Sequence, residues 1–158
     1  MQAKRTIIFV ALVLIGLRIG RRLMTDKEKE IDLLARTIYG ESRGEGVEGM
    51  QAVANVIMNR VNAGKWYGRT VSEVVLKPYA FSCWNANDPN YSLIKTVNTS
   101  NGGFRLAKEI ATTAYDGKLA DLTGGATHYH AAGIFPYWAG SMQKTTIIGN
   151  HIFYKESV

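Results

Sequence analysis

The chain is predicted to fold as an α+β domain, mainly helical, with a small antiparallel β element near the C-terminus. Three features predict it. Residues 26–39 and 47–62 carry apolar residues at i, i+3, i+4 and i+7, the spacing that lays a stripe along one face of an α-helix. A Thr70-Val71-Ser72-Glu73 capping box opens a further helix. After Gly124-Gly125 the texture changes to alternating β-branched and aromatic residues, which suits strands.

Taken in order, the first helix places Ile31, Leu34, Ala35 and Ile38 on one face behind an acid-rich first turn that matches the helix dipole. It is expected to give way at Gly40 to a tight loop reaching Gly46. The second helix, from about Val47 to Asn62, buries Met50, Val53, Ala54, Ile57, Met58 and Val61 and ends at Gly64. The pair makes an αα-hairpin. The capping-box helix runs about seven residues and stops before Pro78, because proline pushes its predecessor out of the helical region. Residues 78–102, rich in Asn, Asp, Ser, Pro and aromatics, read as a long structured loop with one helical turn near Ser92 to Val97. Loops of that length in a compact domain are often functional. Phe104, Ala107, Ala111, Ala114 and Tyr115 mark another helix, closed by Gly117. Thr127–Ala131 and Thr145–Tyr154, the latter folded about Gly149-Asn150, form the antiparallel element.

At 158 residues, 46% hydrophobic and 20% charged, the chain is about one domain with enough apolar residue to bury a core. Disordered chains and repeat arrays are excluded. One cysteine, Cys83, excludes an internal disulfide framework and a cysteine-based zinc site. The net charge of +6 arises at the front, where Lys4, Arg5, Arg18, Arg21 and Arg22 precede the first acid, Asp26. The remainder is nearly neutral and has no basic stripe interleaved with aromatics, so no nucleic-acid partner is expected. Ile7 to Leu17 is an apolar run of 11 residues, the length of a secretory h-region and short of the roughly 20 that span a bilayer. No small-x-small cleavage site follows, and Arg21-Arg22 closes the segment. Residues 1–24 therefore read as an uncleaved signal-anchor giving membrane association, with a terminal helix packed in a larger assembly as the alternative. Residues 25–158 are the working domain.

The densest chemistry is the run Tyr39-Gly40-Glu41-Ser42-Arg43-Gly44-Glu45. A carboxylate where a helix gives way to a glycine loop faces the negative end of the dipole, which disfavours its charged form. A carboxylic acid kept protonated in an apolar cleft is what glycosidic cleavage needs, since the leaving oxygen must receive a proton as the bond breaks. The plainer reading makes Glu41 and Glu45 solvated helix-end carboxylates.

The segment from Ala35 through Glu41-Ser42-Arg43-Gly44-Glu45 to Gly46, followed by Glu48-Gly49-Met50-Gln51-Ala52-Val53-Ala54-Asn55-Val56-Ile57-Met58-Asn59-Arg60-Val61, closely resembles the opening of the SleB/CwlJ cell wall hydrolase family, the spore cortex-lytic enzymes and their relatives. Three later blocks are similar to that family: Phe81-Ser82, Thr123-Gly124-Gly125-Ala126 with His128-Tyr129-His130, and Ile148-Gly149-Asn150-His151-Ile152-Phe153-Tyr154. Trp138 falls where the family tends to carry a tryptophan. The blocks run in order over residues 31–154.

The resemblance implies a lysozyme- or lytic-transglycosylase-like helical core and a peptidoglycan glycosidase that needs no cofactor. Its bond is the β-1,4 link between N-acetylmuramic acid and N-acetylglucosamine, cleaved as a lytic transglycosylase or a muramidase. The partner is then the glycan strand, and the domain is exported or tethered, facing the cell wall or periplasm. The family's catalytic acid, the first Glu of its E-x-R-G-E run, is Glu41 here. The resemblance also places Ser42 to hydrogen-bond the acid or the sugar, although the family more often has Ala there. Glu45, Phe81, Ser82, Tyr129, His130 and Trp138 are the candidate substrate-binding residues, with Trp84 beside them; Tyr129 is in a position to hydrogen-bond Glu41 or the sugar. For the aromatics, and for Phe81 above all, core packing is the alternative. Glu45 is the nearest candidate for the second carboxylate that hydrolysis wants at roughly 5 to 9.5 Å across the bond; accepting backbone N–H groups or pairing with Arg43 is the alternative.

Two other classes compete. His128 and His130, at i and i+2, share a strand face, and His151 is available as a third ligand to zinc, which would make an amidase. A non-catalytic wall-binding or structural subunit of an envelope or virion assembly is the other. A bacteriophage lysin or virion-associated wall-degrading protein fits a small domain with a weak anchor as well as a bacterial envelope role does.

Overall fold

The structure, a computed structural model, describes residues 23–157. The segment read as a signal-anchor lies outside the described residues except for its last two. Among the described residues, no helix is long and apolar enough to cross a membrane.

Among the described residues, five α-helices and a three-stranded sheet make the domain. Helix α1 (Asp26–Ser42) opens on a capping box the sequence pattern had hidden: the Thr25 hydroxyl accepts the Glu28 N–H at 3.2 Å and the Glu28 carboxylate accepts the Thr25 N–H at 2.7 Å. The helix does not stop at Gly40 as expected. It continues to Ser42 because Gly40 is buried inside the packing, where a Cβ would stand 2.7 Å from Cys83 Cβ and 2.9 Å from Ile94 Cγ2. This glycine serves close approach rather than termination.

Helix α2 (Gly46–Ala63) follows after a three-residue turn and packs against α1. Helix α3 (Val71–Val75) is shorter than expected, with the Thr70 hydroxyl accepting the Glu73 N–H at 3.2 Å. Within the long loop, a 3₁₀ turn (Ser82–Trp84) precedes helix α4 (Tyr91–Thr96). Helix α5 (Gly102–Tyr115) presents Phe104, Ala107, Ala111 and Ala114 to the core; the small alanines let helix axes approach closely. Helix α1 lies in the middle, packed by α2, α3, α4, α5 and the Ser82–Trp84 turn. Leu34, Ala35, Thr37 and Ile38 on it are fully buried.

The sheet has strand order β1-β3-β2, all antiparallel, from β1 (His128–Ala131), β2 (Gln143–Ile148) and β3 (His151–Lys155). The β2–β3 hairpin turns on Gly149-Asn150, with Gly149 at φ 54°, the positive φ that a two-residue turn of the II′ kind needs at its first position. Three short strands are marginal alone. Here Phe153 and Ala126 pack on Ala52 and Val56 of α2, forming a small second core.

A polar stripe on α2 completes that docking. Asn55 donates to Ala120 O (3.1 Å) and accepts from Leu122 N (3.1 Å), while Gln51 donates to Ala120 O (2.8 Å). One turn on, Asn59 donates to Ala126 O (3.0 Å), and Asp121 accepts from Thr123 N (2.7 Å) and Gly125 N (2.8 Å). Residues 120–127 therefore lie along α2 by hydrogen bonds, with Ala126 adding the apolar contact. Replacing buried Asn55 by Ala leaves the Leu122 N–H without its acceptor and Ala120 O with Gln51 alone, so Asn55→Ala is expected to lose about 2 kcal/mol of stability. Urea unfolding of the variant beside the unmutated chain measures it.

Candidate active site

The last two turns of α1 align Thr37, Gly40 and Glu41 on one face, as their i, i+3, i+4 spacing dictates. The Ser82–Trp84 turn lands on that face. The Trp84 indole N–H donates to Thr37 Oγ1 at 3.0 Å, and the Cys83 backbone N–H donates to Glu41 Oε1 at 3.0 Å. Gly40 supplies the clearance beneath Cys83. The far end of the same loop is held by Arg36, which donates to the carbonyls of Ile94 and Val97 and to Asp32 Oδ2 at 2.6 Å. The loop is irregular in backbone yet fastened to α1 at both ends.

The second oxygen of Glu41 belongs to the sheet: the Tyr129 hydroxyl donates to Glu41 Oε2 at 2.9 Å. Burial, then the charge of Glu41 and its hydrogen bond, push the Tyr129 phenol well above its ordinary range, so it remains a proton-bearing donor. Arg60 lies close by. Its Nε donates to Thr127 O at 2.7 Å and its guanidinium rests over the rings of Phe81 (5.0 Å) and Tyr67 (5.6 Å). Burial lowers the Arg60 pKa, and the nearby Tyr129, Tyr67 and Glu41 oppose that shift.

A groove of about 380 Å³ has Tyr129, Arg60, Trp66, Lys77, Tyr79 and Trp138 among its walls. Glu41 does not line it; the carboxylate is linked to the groove wall through its hydrogen bond from Tyr129.

The remaining candidates fall in different places. Ser42 is buried and donates its hydroxyl to Ile38 O at 2.8 Å, so it does not bond Glu41 as its neighbouring position suggested. Glu45 pairs neither with Arg43 nor with its own turn: it accepts the Asn150 N–H at 2.8 Å and the Asn150 side-chain amide at 3.3 Å, clamping the α1–α2 turn to the β2–β3 hairpin. The backbone hydrogen bond from Asn150 outweighs burial and holds the Glu45 carboxyl below its ordinary value. Phe81 is core, beneath Arg60. Ser82 is exposed on the turn that presents Cys83. His130 points to the sheet face opposite Tyr129, where it is buried, stacked on Tyr154 and bonded to its hydroxyl at 3.0 Å. Trp138 lies 5.2 Å from His128 and 5.7 Å from His130, ring to ring, and lines the groove.

The register separates the three histidines. His151 pairs with Ala131 and shares the face of Tyr129, their rings 5.0 Å apart, whereas His128 and His130 occupy the other face. They cannot converge on one zinc ion, and no three His, Cys, Asp or Glu side chains among the described residues form a group that would hold a metal. Cys83 is equally unreactive, because burial and then the Glu41 charge push its thiol far up.

Sequence reasoning missed Arg60, Asn55, Asn59 and the Cys83 backbone. The first three stood inside the quoted helical block at intervals that keep them on one side of α2, a polar stripe beside the apolar one. The contribution of Cys83 is a backbone N–H, for which side-chain identity carries no signal.

A family model described as Cell Wall Hydrolase matches residues 44–154, beginning just after Glu41. The spore cortex-lytic enzyme of Bacillus cereus is 34% identical over 129 residues, covering 81% of this chain and 45% of the relative. The chain thus spans less than half the length of that curated relative. The crystal structure of the catalytic domain of the Bacillus cereus SleB protein superposes with a TM-score of 0.66 at 33% identity, covering 86% of this chain and 98% of that domain. The catalytic domain of the germination-specific lytic transglycosylase SleB from Bacillus anthracis also gives 0.66, at 31% identity, covering 86% and 100%.

The groove wall carries a pH signature. Burial, then the Arg60 charge, push His128 from an ordinary 6.5 down to about 4. The unfolded chain therefore takes up a proton before the folded one, so this stability is complete above pH 6.5 and is lost as pH falls from 6.5 toward 4. Glu45 and Asp121, both held low, add their losses only below their ordinary values of 4.5 and 3.8. For Asp121, burial acts upward and the hydrogen bonds from Thr123, Gly125 and Asn59 overcome it. Thermal melts between pH 7 and pH 5 are expected to fall more steeply for the unmutated chain than for His128→Gln.

Proposed function

The chain belongs to the cell wall hydrolase family, and on that premise we propose that it is a lytic transglycosylase acting on the β-1,4 bond between N-acetylmuramic acid and N-acetylglucosamine, with Glu41 as the acid and then the base. The observation that supports this reading is the setting of Glu41: one carboxyl, gripped on both oxygens by Cys83 N–H and Tyr129 O–H, the tyrosine being also a wall of an aromatic groove. A second carboxylate in working position would favour hydrolysis. Glu45, the nearest in sequence, has both oxygens committed to Asn150.

A single acid suffices when the nucleophile belongs to the substrate. Protonated Glu41 gives its proton to the glycosidic oxygen as the bond to the muramoyl anomeric carbon breaks, releasing the 4-hydroxyl of the neighbouring sugar. The Glu41 carboxylate then takes the proton of the muramoyl 6-hydroxyl as that oxygen attacks the anomeric carbon, closing a 1,6-anhydro ring. The acid is regenerated and no water is consumed. A hydroxyl both donates and accepts, so Tyr129 can accept from the protonated acid and donate to the carboxylate. The Cys83 N–H, a donor only, with Tyr129 keeps the carboxylate in one rotamer between the two steps. On this reading the domain works on the wall-facing side of a membrane, with residues 1–24 as its export or tether segment. The reading applies equally to a bacterial envelope enzyme and to a phage lysin.

Muropeptides released from purified peptidoglycan by the full chain, read by mass spectrometry, test the proposal. Anhydromuramic ends are expected. Glu41→Gln should lower their rate by about 10²- to 10⁴-fold, the contribution of one positioned acid-base group. Reducing muramic ends would replace transglycosylation by hydrolysis, and absence of any sugar cleavage would remove the glycosidase. Tyr129→Phe should cost about tenfold in kcat with KM little changed, as loss of one hydrogen bond strengthened in the transition state does. Because the three histidines stand on two faces, a chelator should leave the rate unchanged.

A further inference from the structure

The groove lined by Tyr129 has aromatic walls, yet it carries two cations and no carboxylate of its own. Arg60 spends Nε on Thr127 O, and among the described residues no acceptor takes its Nη groups and no carboxylate lies within ion-pair distance of it. Lys77 brings the second charge: it lies 5.1 Å over the Trp66 ring and donates to the Trp66 carbonyl, also without a carboxylate. Of the nearby acids, Glu156 is engaged by the Tyr67 hydroxyl at 2.8 Å, and Glu41, whose charge acts on Arg60 from beyond ion-pair distance, is held by the Cys83 N–H and the Tyr129 hydroxyl. A guanidinium taken out of water without a counter-ion is costly, and a neutral sugar offers neither cation a full partner. Aromatic faces for pyranose rings, combined with two unpaired cations, suit a sugar that bears an anion.

We propose that this groove is an anion-reading sugar subsite: Trp66, Tyr79 and Trp138 hold the faces of an amino sugar, and Arg60 with Lys77 takes the carboxylate that a muramoyl residue carries on its lactyl arm or its peptide stem. The inference rests on the Glu41 reading only for the identity of the strand. It adds a selectivity that the reading lacks, because a glycan of the same backbone without carboxylates would bind weakly. Tyr79 stands out to solvent, 88% exposed, in a left-handed backbone conformation at φ 62°, so its ring is available to an incoming strand.

The test uses the full chain carrying Glu41→Gln, so that strands are bound without being cut. Its affinity is measured for soluble glycan strands with free lactyl carboxylates, for the same strands with those carboxylates converted to primary amides, and for strands with intact stem peptides. Amidation is expected to weaken binding about fivefold or more, the worth of one partly exposed ion pair, and salt should erase the difference. Adding Lys77→Gln, at an exposed position, should weaken binding of the charged strands by a similar factor with little effect on the amidated ones. Equal affinity for charged and amidated strands, or a Lys77→Gln loss equal for both, overturns the proposal. Tighter binding of stem-bearing strands places the anion on the peptide; tighter binding of stripped strands places it on the lactyl arm. Equal cleavage of both strand types by the unmutated chain would sink the subsite and leave the Glu41 reading standing, whereas charge-selective binding without any cleavage would uphold the subsite and sink the Glu41 reading.

Discussion

Both oxygens of one carboxylate are held by donors from distant parts of the chain, Cys83 at 42 residues' separation and Tyr129 at 88. The rest of the domain is arranged so that these two groups reach Glu41 together. A helix end would leave the side chain free to sample rotamers. Two donors fix it, and each stands on an element with its own anchorage. The Cys83 N–H is brought in by a loop fastened through Trp84 to Thr37 and through Arg36 to the carbonyls of Ile94 and Val97. The Tyr129 hydroxyl is brought in by a strand whose sheet is too small to hold itself.

That sheet is therefore the weak member, and its attachments explain several residues that touch no candidate chemistry. Phe153 and Ala126 give it an apolar foot on α2. Asn59 and Arg60 fasten the strand's approach through Ala126 O and Thr127 O. Glu45 grips the opposite end at Asn150, and Gly149 is required there twice, for its positive φ and because any Cβ would run into the Glu45 carboxylate. Two glutamates four residues apart thus have different work: Glu41 takes the donors of Cys83 and Tyr129, while Glu45 holds the hairpin at Asn150.

Much of the helical framework was legible because burial on one face leaves a period in the sequence: α1, α2 and α5 appear where the apolar stripes put them. The hairpin about Gly149-Asn150 was legible from turn chemistry. What could not be read is whatever depends on contact across the fold. Gly40 looked like a helix stop, since nothing local says that Cys83 and Ile94 press on it. Glu41 and Tyr129 were each singled out, and their possible bond was named; the second donor, a backbone N–H in an irregular loop, carries no residue signature. Ser42 and His130 stand beside the right neighbours in sequence, but a helix and a strand turn adjacent side chains apart, so their polar atoms find partners inside the protein. The histidine trio failed for the same reason: i and i+2 share a face, and the partner strand's register put His151 on the other.

The central claim is spatial: the bond to be cleaved comes to Glu41 with the strand lying in the groove that Tyr129 lines. A crystal structure of the full chain carrying Glu41→Gln, with a muramoyl-containing oligosaccharide bound, tests it most directly. The account predicts a glycosidic oxygen about 3 Å from the side chain at position 41, within reach of proton transfer, with sugar rings against Trp66 and Trp138. An oligosaccharide seated elsewhere, with position 41 touching no glycosidic oxygen, would contradict it.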